Sequence, residues 1–238
     1  MTRTKMVCHR GACRLAPENT FASAEKALEL GGAYIELDVR ESADGVLYVM
    51  HDQTVDRTTN GSGAIARMSS AEIDALDAGS WFDPRFSGER VPRLDAFLEN
   101  LKGRAGAYVE LKWCDPAKLA RMIRDLGMAK DIFWFSFKPE MRAAMRAAAP
   151  DMRAMITLDI ARTPSLARPL FGAAMVEMEV DEATPAVLAS CRELDHETMI
   201  YYPGEDPAVF RQIAEAGVDY VNLDQPALYA AAEAELSA

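Results

Sequence analysis

Short β-rich runs alternate with helical patterns along almost all of this 238-residue chain, and that alternation limits the possible folds more than any other feature. Parallel neighbours in a sheet need a crossover long enough to hold a helix, so repeated strand-helix units predict a parallel α/β architecture. Strand patterns fall near 4–9, 33–39, 47–51, 107–111, 132–137, 153–157, 175–179, 197–202 and 219–223. Amphipathic or alanine-rich helix patterns fall near 19–30, 94–102, 115–126, 138–148, 161–169, 184–194, 206–216 and 226–236. Gly31, Gly103, Gly127 and Gly217 follow four of the helices, where a left-handed cap favours glycine. No long-period repeat or flexible linker breaks the pattern.

Nine strands against eight helices is one strand too many for simple alternation, and the surplus lies where no helix separates the second and third runs. There, Asp44-Gly45 is flanked by Ile35-Glu36-Leu37-Asp38-Val39 and Val46-Leu47-Tyr48-Val49-Met50-His51, which reads as a β-hairpin. With Asp44 and Gly45 as a two-residue turn, paired positions sum to 89 and His51 faces Asp38. The run at 47–51 is then a returning arm, and eight strands with eight helices remain. The expected fold class is α/β, a (β/α)8 TIM barrel over 1–238 as a single domain, with a small insertion at 53–92 after the β2 hairpin. Within the insertion, Ser69 and Glu72 form a capping-box pattern ahead of Ile73 and Leu76 on one helical face.

Composition narrows the function. Half the residues are hydrophobic, enough for a sizeable core. Asp plus Glu number 37 against 26 for Lys plus Arg, a net charge of −11, and no basic run occurs. Nucleic acid and stable membrane association are therefore not expected. No apolar run approaches the ~20 residues of a membrane span, and Met1–Lys5 lead into an apolar strand without a leader-type core, so a soluble, cytoplasmic protein is expected. Cys8, Cys13, Cys114 and Cys191 lack CxxC spacing and read as buried, reduced thiols. No signal for an oligomeric state is visible. The acidic excess also opposes anionic substrates, unless a bound cation reverses the local field.

In a barrel of this kind the reacting groups sit at the C-terminal ends of the strands. The first strand ends in His9-Arg10-Gly11, the second carries Glu36 and Asp38 on one side, the hairpin returns His51-Asp52, and the third ends Glu110-Leu111-Lys112. Three converging carboxylates repel one another unless a cation joins them, and oxygen-only ligands select Mg2+ or Ca2+. Glu36, Asp38 and Glu110 are thus candidate ligands of one divalent cation. His9 and His51 have the pKa range for acid–base work, and Arg10 and Lys112 supply donors for phosphate oxygens. Together these groups suggest phosphoester hydrolysis.

At these residues the chain resembles the glycerophosphodiester phosphodiesterase family. The matching text is His9-Arg10-Gly11, Pro17-Glu18-Asn19-Thr20, Glu36-Leu37-Asp38-Val39, Asp44-Gly45, His51-Asp52, Asp56-Arg57-Thr58-Thr59 with Gly61, Pro92 with Leu94, and Glu110 with Lys112. Weaker likeness continues in Gly217-Val218-Asp219 and in Asp224 with Pro226. The resemblance implies a divalent-metal enzyme that releases glycerol 3-phosphate and an alcohol. It makes Glu36, Asp38 and Glu110 metal ligands, His9 and His51 the acid–base pair, and Arg10 and Lys112 phosphate contacts. Where the family commonly has Trp-Thr-Val-Asn this chain has Tyr201-Tyr202-Pro203-Gly204, and Leu223 replaces a usual Thr.

Supporting roles are open between alternatives. Glu18 and Asn19 either orient His9 or Arg10 or, for Asn19, cap the first helix; Asp52 either approaches the metal or holds a loop. Carboxylates around His51 are expected to raise its pKa, which makes it the acid and His9 the base. His196, the third histidine, reads as a solvated loop residue, and Asp56-Arg57 as a buried pair anchoring the insertion. Glu177 and Glu179 share one strand face, and a salt bridge to an outer helix is the favoured reading over a place in the pocket. Trp81-Phe82 form an apolar lip on the insertion. The same machinery would serve a lysophospholipid or a sugar-phosphate diester, while a non-catalytic phosphate-ester binding barrel would fit loss of a histidine or carboxylate, and none is lost.

Overall fold

The barrel closes at β1 (Lys5–Cys8), which pairs in parallel with β9 (Tyr220–Leu223) on one side and with β2 (Tyr34–Glu41) on the other. A computed structural model describes residues 4–236; Met1 to Arg3, within the segment expected to run into β1 without a leader, lie outside the described residues, as do 237–238. From β2 the sheet continues through β4 (Gly106–Trp113), β5 (Ile132–Phe135), β6 (Arg153–Thr157), β7 (Met175–Glu179) and β8 (Glu197–Tyr202) to β9. These eight strands are parallel, as the alternation requires. β3 (Leu47–Val49) is the returning arm. β1 pairs only with Tyr34 and Ile35, and β3 fills the edge of β2 that β1 does not reach, at Val39–Glu41.

The hairpin register differs from expectation by one residue. Arg40 pairs with Tyr48, so paired positions sum to 88. The loop has three residues, not two: Ser42 N–H donates to the Val46 carbonyl at 2.9 Å, and Gly45 adopts φ 82°. Asp44 accepts from the Ser42 hydroxyl at 2.7 Å and from the Ser70 amide at 2.9 Å, which anchors the turn to the insertion. This is the three-residue hairpin ending in a left-handed glycine. Met50, not His51, therefore faces Asp38, with Met50 N–H donating to its carbonyl at 2.9 Å. Leu47 and Val49 point into the main core, and Tyr48 and Met50 into a second one built with Val55, Ile65, Ile73, Ala78 and Val91. That second core holds the insertion against the barrel.

The connecting helices are α1 (Phe21–Glu29), α3 (Leu94–Leu101), α4 (Pro116–Asp125), α5 (Pro139–Ala148), α8 (Pro185–Glu193), α9 (Pro207–Ala216) and α10 (Pro226–Leu236), close to their expected positions. Proline at the first turn, where no amide partner is lost, starts α4, α5, α8 and α9. The pattern at 161–169 divides into α6 (Leu158–Ala161) and α7 (Pro164–Phe171), because Arg162 turns to φ 68° and Pro164 begins a new helix. In the insertion, α2 (Ser70–Asp74) carries the expected capping box of Ser69 and Glu72. No helix among the described residues is long and apolar enough to cross a membrane.

Two surface expectations are corrected. His196 is buried, 6% exposed, with its amide donating to the Cys191 carbonyl at 2.9 Å, because the turn after α8 folds directly beneath β8. Asp56 and Arg57 are exposed and not paired with each other: Asp56 accepts from Ser62 Oγ at 2.8 Å, while Arg57 reaches across to the barrel. At the opposite end of the barrel, Arg153 bonds Glu197 at 2.7 Å and the Tyr220 hydroxyl at 3.0 Å.

Candidate active site

The turn after β1 sets the first two functional groups. Arg10 has φ 56° and Gly11 φ 79°, and a Cβ on Gly11 would lie 2.5 Å from Ser23 Oγ and 2.7 Å from the Ser23 backbone carbon. Only glycine fits, since the neighbour is helix backbone. Gly11→Ala is expected to destabilise the fold by about 1–3 kcal/mol, read as a lower urea midpoint at unchanged m; a midpoint equal to wild type would show that the turn relaxes freely.

This turn brings His9 to the mouth, where its Nδ1 lies 2.6 Å from Asp224 Oδ1 just past β9. Asp224 also accepts from Arg14 Nη2 at 2.9 Å. Burial acts to raise the Asp224 carboxyl, but His9 and Arg14 together hold it below the usual range. His51 has a matching partner, with Nδ1 2.7 Å from Asp52 Oδ1. Arg57 Nε donates to Asp52 at 2.6 Å and its two Nη groups to Glu18 at 2.8 Å each, while Glu18 accepts from Arg10 Nη1 at 3.0 Å. Glu18 therefore orients Arg10, and Asp52 holds both His51 and the insertion's Arg57. Asn19 does not cap α1, but its backbone amide donates to the Arg10 carbonyl at 3.0 Å. Its Nδ2 donates to Asp38 Oδ2 at 2.8 Å, and Thr20 caps α1.

Glu36, Asp38 and Glu110 come together because β2 and β4 place Asp38 beside Glu110, with Glu36 two residues earlier on the same face. One oxygen from each lies within 4.8 Å of the others, and the three are 1%, 1% and 7% exposed. Burial, then the charges of Asp38 and Glu110, push the Glu36 carboxyl well above its ordinary value. Burial and Asp38 likewise raise Glu110, whereas Asp38 is held low against burial by Lys112, His51 and Arg10. Glu36 Oε2 accepts from the Arg10 amide at 2.8 Å, but Glu36 Oε1 is buried without a hydrogen-bond donor, and Asp38 Oδ1 has only the Lys112 ammonium beside it, at 3.2 Å and outside hydrogen-bond geometry. Orphaned carboxylate oxygens in a crowded acidic group are what a hard cation satisfies. The donor set fits one.

Lys112 Nζ lies 2.5 Å from Glu110 Oε1 and 3.2 Å from Asp38 Oδ1. Arg10 Nε, 3.6 Å from Asp38, is buried with no acceptor. The expected rise in the His51 pKa is corrected: burial lowers it, with Lys112 and Arg10 adding to the fall, against the pull of Asp38 and Asp52. His51 therefore favours its neutral form.

Two recesses meet at His9 and Arg10. One, of about 380 Å3, runs into the barrel past Glu110 and Lys112 to Glu177 and Asn222; the other, about 600 Å3, runs toward Trp81 and Phe82 of the insertion. Tyr201 lines both and packs edge-on to the His9 ring at 5.3 Å between centroids. Glu177 does not bridge to an outer helix. It points inward, 7% exposed, and accepts from Asn222 Nδ2 at 3.0 Å. Asp224, Arg14 and Asn222 were not assigned to the site from sequence. The one available signal was Asp224 with Pro226 at the end of the last strand, which a closed barrel sets beside the first.

Residues 9–227 match the glycerophosphoryl diester phosphodiesterase family. The glycerophosphodiester phosphodiesterase of Caldanaerobacter subterraneus subsp. tengcongensis is 36% identical over 160 residues, 63% of this chain and 65% of that protein. That of Bacillus subtilis is 42% identical over 118 residues, 46% of this chain and 40% of the relative. The matches thus span about two-fifths to two-thirds of these curated relatives. The crystal structure of a glycerophosphodiester phosphodiesterase from Agrobacterium tumefaciens str. C58 superposes with a TM-score of 0.94 at 58% identity, covering 96% of this chain and 99% of that one. An Oleispira antarctica phosphodiesterase, solved with the product sn-glycerol-3-phosphate, shares the fold at a TM-score of 0.84 and 22% identity, with 99% and 98% covered. With the family match extending from His9 past the Asp224 that holds it, this chain belongs to the glycerophosphoryl diester phosphodiesterase family.

Proposed function

We propose that the chain hydrolyses glycerophosphodiesters to glycerol 3-phosphate and an alcohol, using one divalent cation, Mg2+ or Ca2+. The observation that carries this reading is the pair of histidine–aspartate couples, His9–Asp224 and His51–Asp52, set around one buried carboxylate group. Glu36, Asp38 and Glu110 would hold the cation, which when bound offsets their repulsion and draws charge from the phosphate. Arg10 Nε, free of any protein acceptor, and Lys112 Nζ bind phosphate oxygens. In each histidine the aspartate engages Nδ1, which leaves Nε2 for the substrate. His51, favoured neutral, takes the proton of the attacking oxygen, either water or the neighbouring glycerol hydroxyl, and His9 gives a proton to the departing alkoxide; attack by the hydroxyl leaves a cyclic phosphate, which water then opens to glycerol 3-phosphate. This assignment reverses the one drawn from sequence, because burial outweighs the carboxylates at His51.

Asp224 is then a positioning residue. Asp224→Asn is expected to lower kcat by about 10–100-fold and to displace the pH profile, with metal affinity retained; an unchanged rate and profile would remove it from the mechanism. The insertion's Trp81, 39% exposed at the mouth, and Phe82 shape the alcohol site. Trp81→Ala should alter the ranking of leaving alcohols, and an equal loss on every diester would make the insertion a stability element only.

The whole reading is tested by supplying glycerophosphocholine, glycerophosphoinositol and a lysophospholipid with Mg2+ or Ca2+ and identifying products by phosphorus NMR. Accumulation of glycerol 3-phosphate is expected; turnover of the lysophospholipid alone would move the substrate class. We read the chain as one barrel domain with 53–92 inserted, acting on small-molecule diesters without nucleic acid or stable membrane association. Four free cysteines, three of them buried, fit a reducing cytoplasm.

A further inference from the structure

The recess that holds Glu110 and Lys112 is also lined by a polar pair that none of the roles above uses. Glu177 on β7 and Asn222 on β9 meet across β8, 7% and 3% exposed, with Asn222 Nδ2 donating to Glu177 Oε1 at 3.0 Å. Both line the same cavity as Glu110 and Lys112. Glu177 stands outside the group of three carboxylates whose oxygens converge, so a shared cation does not account for it. A carboxyl buried to this degree loses solvation that one amide bond does not restore. Asn222 Oδ1 is buried and has no donor, and Glu177 Oε2 makes no hydrogen bond among the described residues.

The unused capacity of the pair is therefore one amide oxygen that accepts and one carboxyl oxygen. Burial, opposed by the Asn222 bond and reinforced by the charge of Glu110, pushes Glu177 up to about 8, toward the uncharged acid that is able to donate. One donor and one acceptor side by side match an alcohol hydroxyl, which both donates and accepts. An ammonium group would instead need an ionised carboxylate.

We infer that Glu177 and Asn222 form a hydroxyl-binding subsite that holds the terminal hydroxyl of the glycerol moiety while the phosphate rests on Arg10 and Lys112. This rests on the phosphodiesterase reading and extends it: the recess to β7 takes the polyol, and the cleft toward Trp81 takes the other alcohol. Specificity follows from the same geometry, since a ligand lacking the hydroxyl leaves buried polar atoms unpaired.

The test is a binding comparison on Mg2+-supplied protein by calorimetry, using sn-glycerol 3-phosphate and 1,2-propanediol 1-phosphate, which lacks only the terminal hydroxyl. The wild type is expected to prefer the glycerol compound by about 10-fold. Glu177→Ala should reduce that preference to about 3-fold or less, and Glu177→Gln, which keeps a donor and an acceptor, should preserve it. If Glu177→Ala lowers the melting temperature enough to compromise folding, Glu177→Met keeps the volume and takes its place. Equal affinity of the wild type for both phosphates, or full preference in the apolar variant, overturns the subsite alone. Binding of neither phosphate by the wild type overturns the phosphodiesterase reading and the subsite with it.

Discussion

His9→Ala should lower kcat on a natural glycerophosphodiester by about 10²–10⁴-fold, and a diester with a p-nitrophenolate leaving group should restore much of the loss. His51→Ala should show a loss of similar size that the activated leaving group does not restore. An alkoxide departs poorly near neutral pH unless a proton reaches it in the transition state, whereas p-nitrophenolate needs none. A variant lacking the acid is therefore rescued and one lacking the base is not. In the proposed mechanism His51 is the base because burial, with Lys112 and Arg10, holds it below the ordinary histidine value. The sign follows for pH: a base must be neutral, so the acid limb of kcat/KM should set in below the ordinary histidine value of about 6.5, on the acid side of a free imidazole, while loss of the His9 proton sets the alkaline limb. Selective rescue of His51→Ala would exchange the two roles. Wild-type rates for both variants on the natural diester would end the mechanism.

Glu36→Gln should stabilise the protein without cation and abolish the stabilisation that cation brings. A carboxyl whose folded pKa lies above its unfolded value binds more protons folded than unfolded, so it reduces stability as pH rises through that interval. Burial and the two neighbouring carboxylates place Glu36 in that position. The variant's advantage over wild type, without cation, should therefore be small near pH 4 and grow as pH rises. At a hundred times its dissociation constant a cation adds about 2.7 kcal/mol to the folded state. For a chain of this size that raises Tm by about 5–10 °C, an increase expected in wild type and absent in Glu36→Gln. A cation-dependent rise of the same size in both would show that the ion binds elsewhere.

Most of the barrel was legible because its signals are local. Proline at first turns, glycine after helices and strand-helix alternation each act within a few residues, and they placed the elements nearly where they stand. The metal-binding candidates were legible for a related reason: Glu36, Asp38 and Glu110 sit on neighbouring strands, where spacing alone predicts convergence. The hairpin register failed by one residue because Asp44-Gly45 suits both a two-residue and a three-residue loop, and the choice depends on Ser42 and Ser70 contacts to Asp44. Glu177 was turned the wrong way because β7 is buried on both faces from Met175 to Met178, so burial and alternation do not mark which face looks into the barrel. Asp224 escaped assignment, and Asn19 was given a supporting place but not its Asp38 partner, for want of long-range information. Asp224 meets His9 only through closure of β9 on β1, 215 residues apart in sequence, and Asn19 reaches Asp38 from a loop whose path no pattern specifies.

The central claim is that the buried carboxylates hold a divalent cation without which the histidines do no work. Its most direct measurement takes protein stripped by chelation, verifies that metal is absent, and follows release of glycerol 3-phosphate from glycerophosphocholine as Mg2+ or Ca2+ is added back to wild type and to Asp38→Asn. The account predicts no turnover in the stripped wild type, recovery that saturates with added cation, and no comparable recovery in the variant. Full turnover by the verified metal-free wild type, or equal recovery by Asp38→Asn, would contradict it.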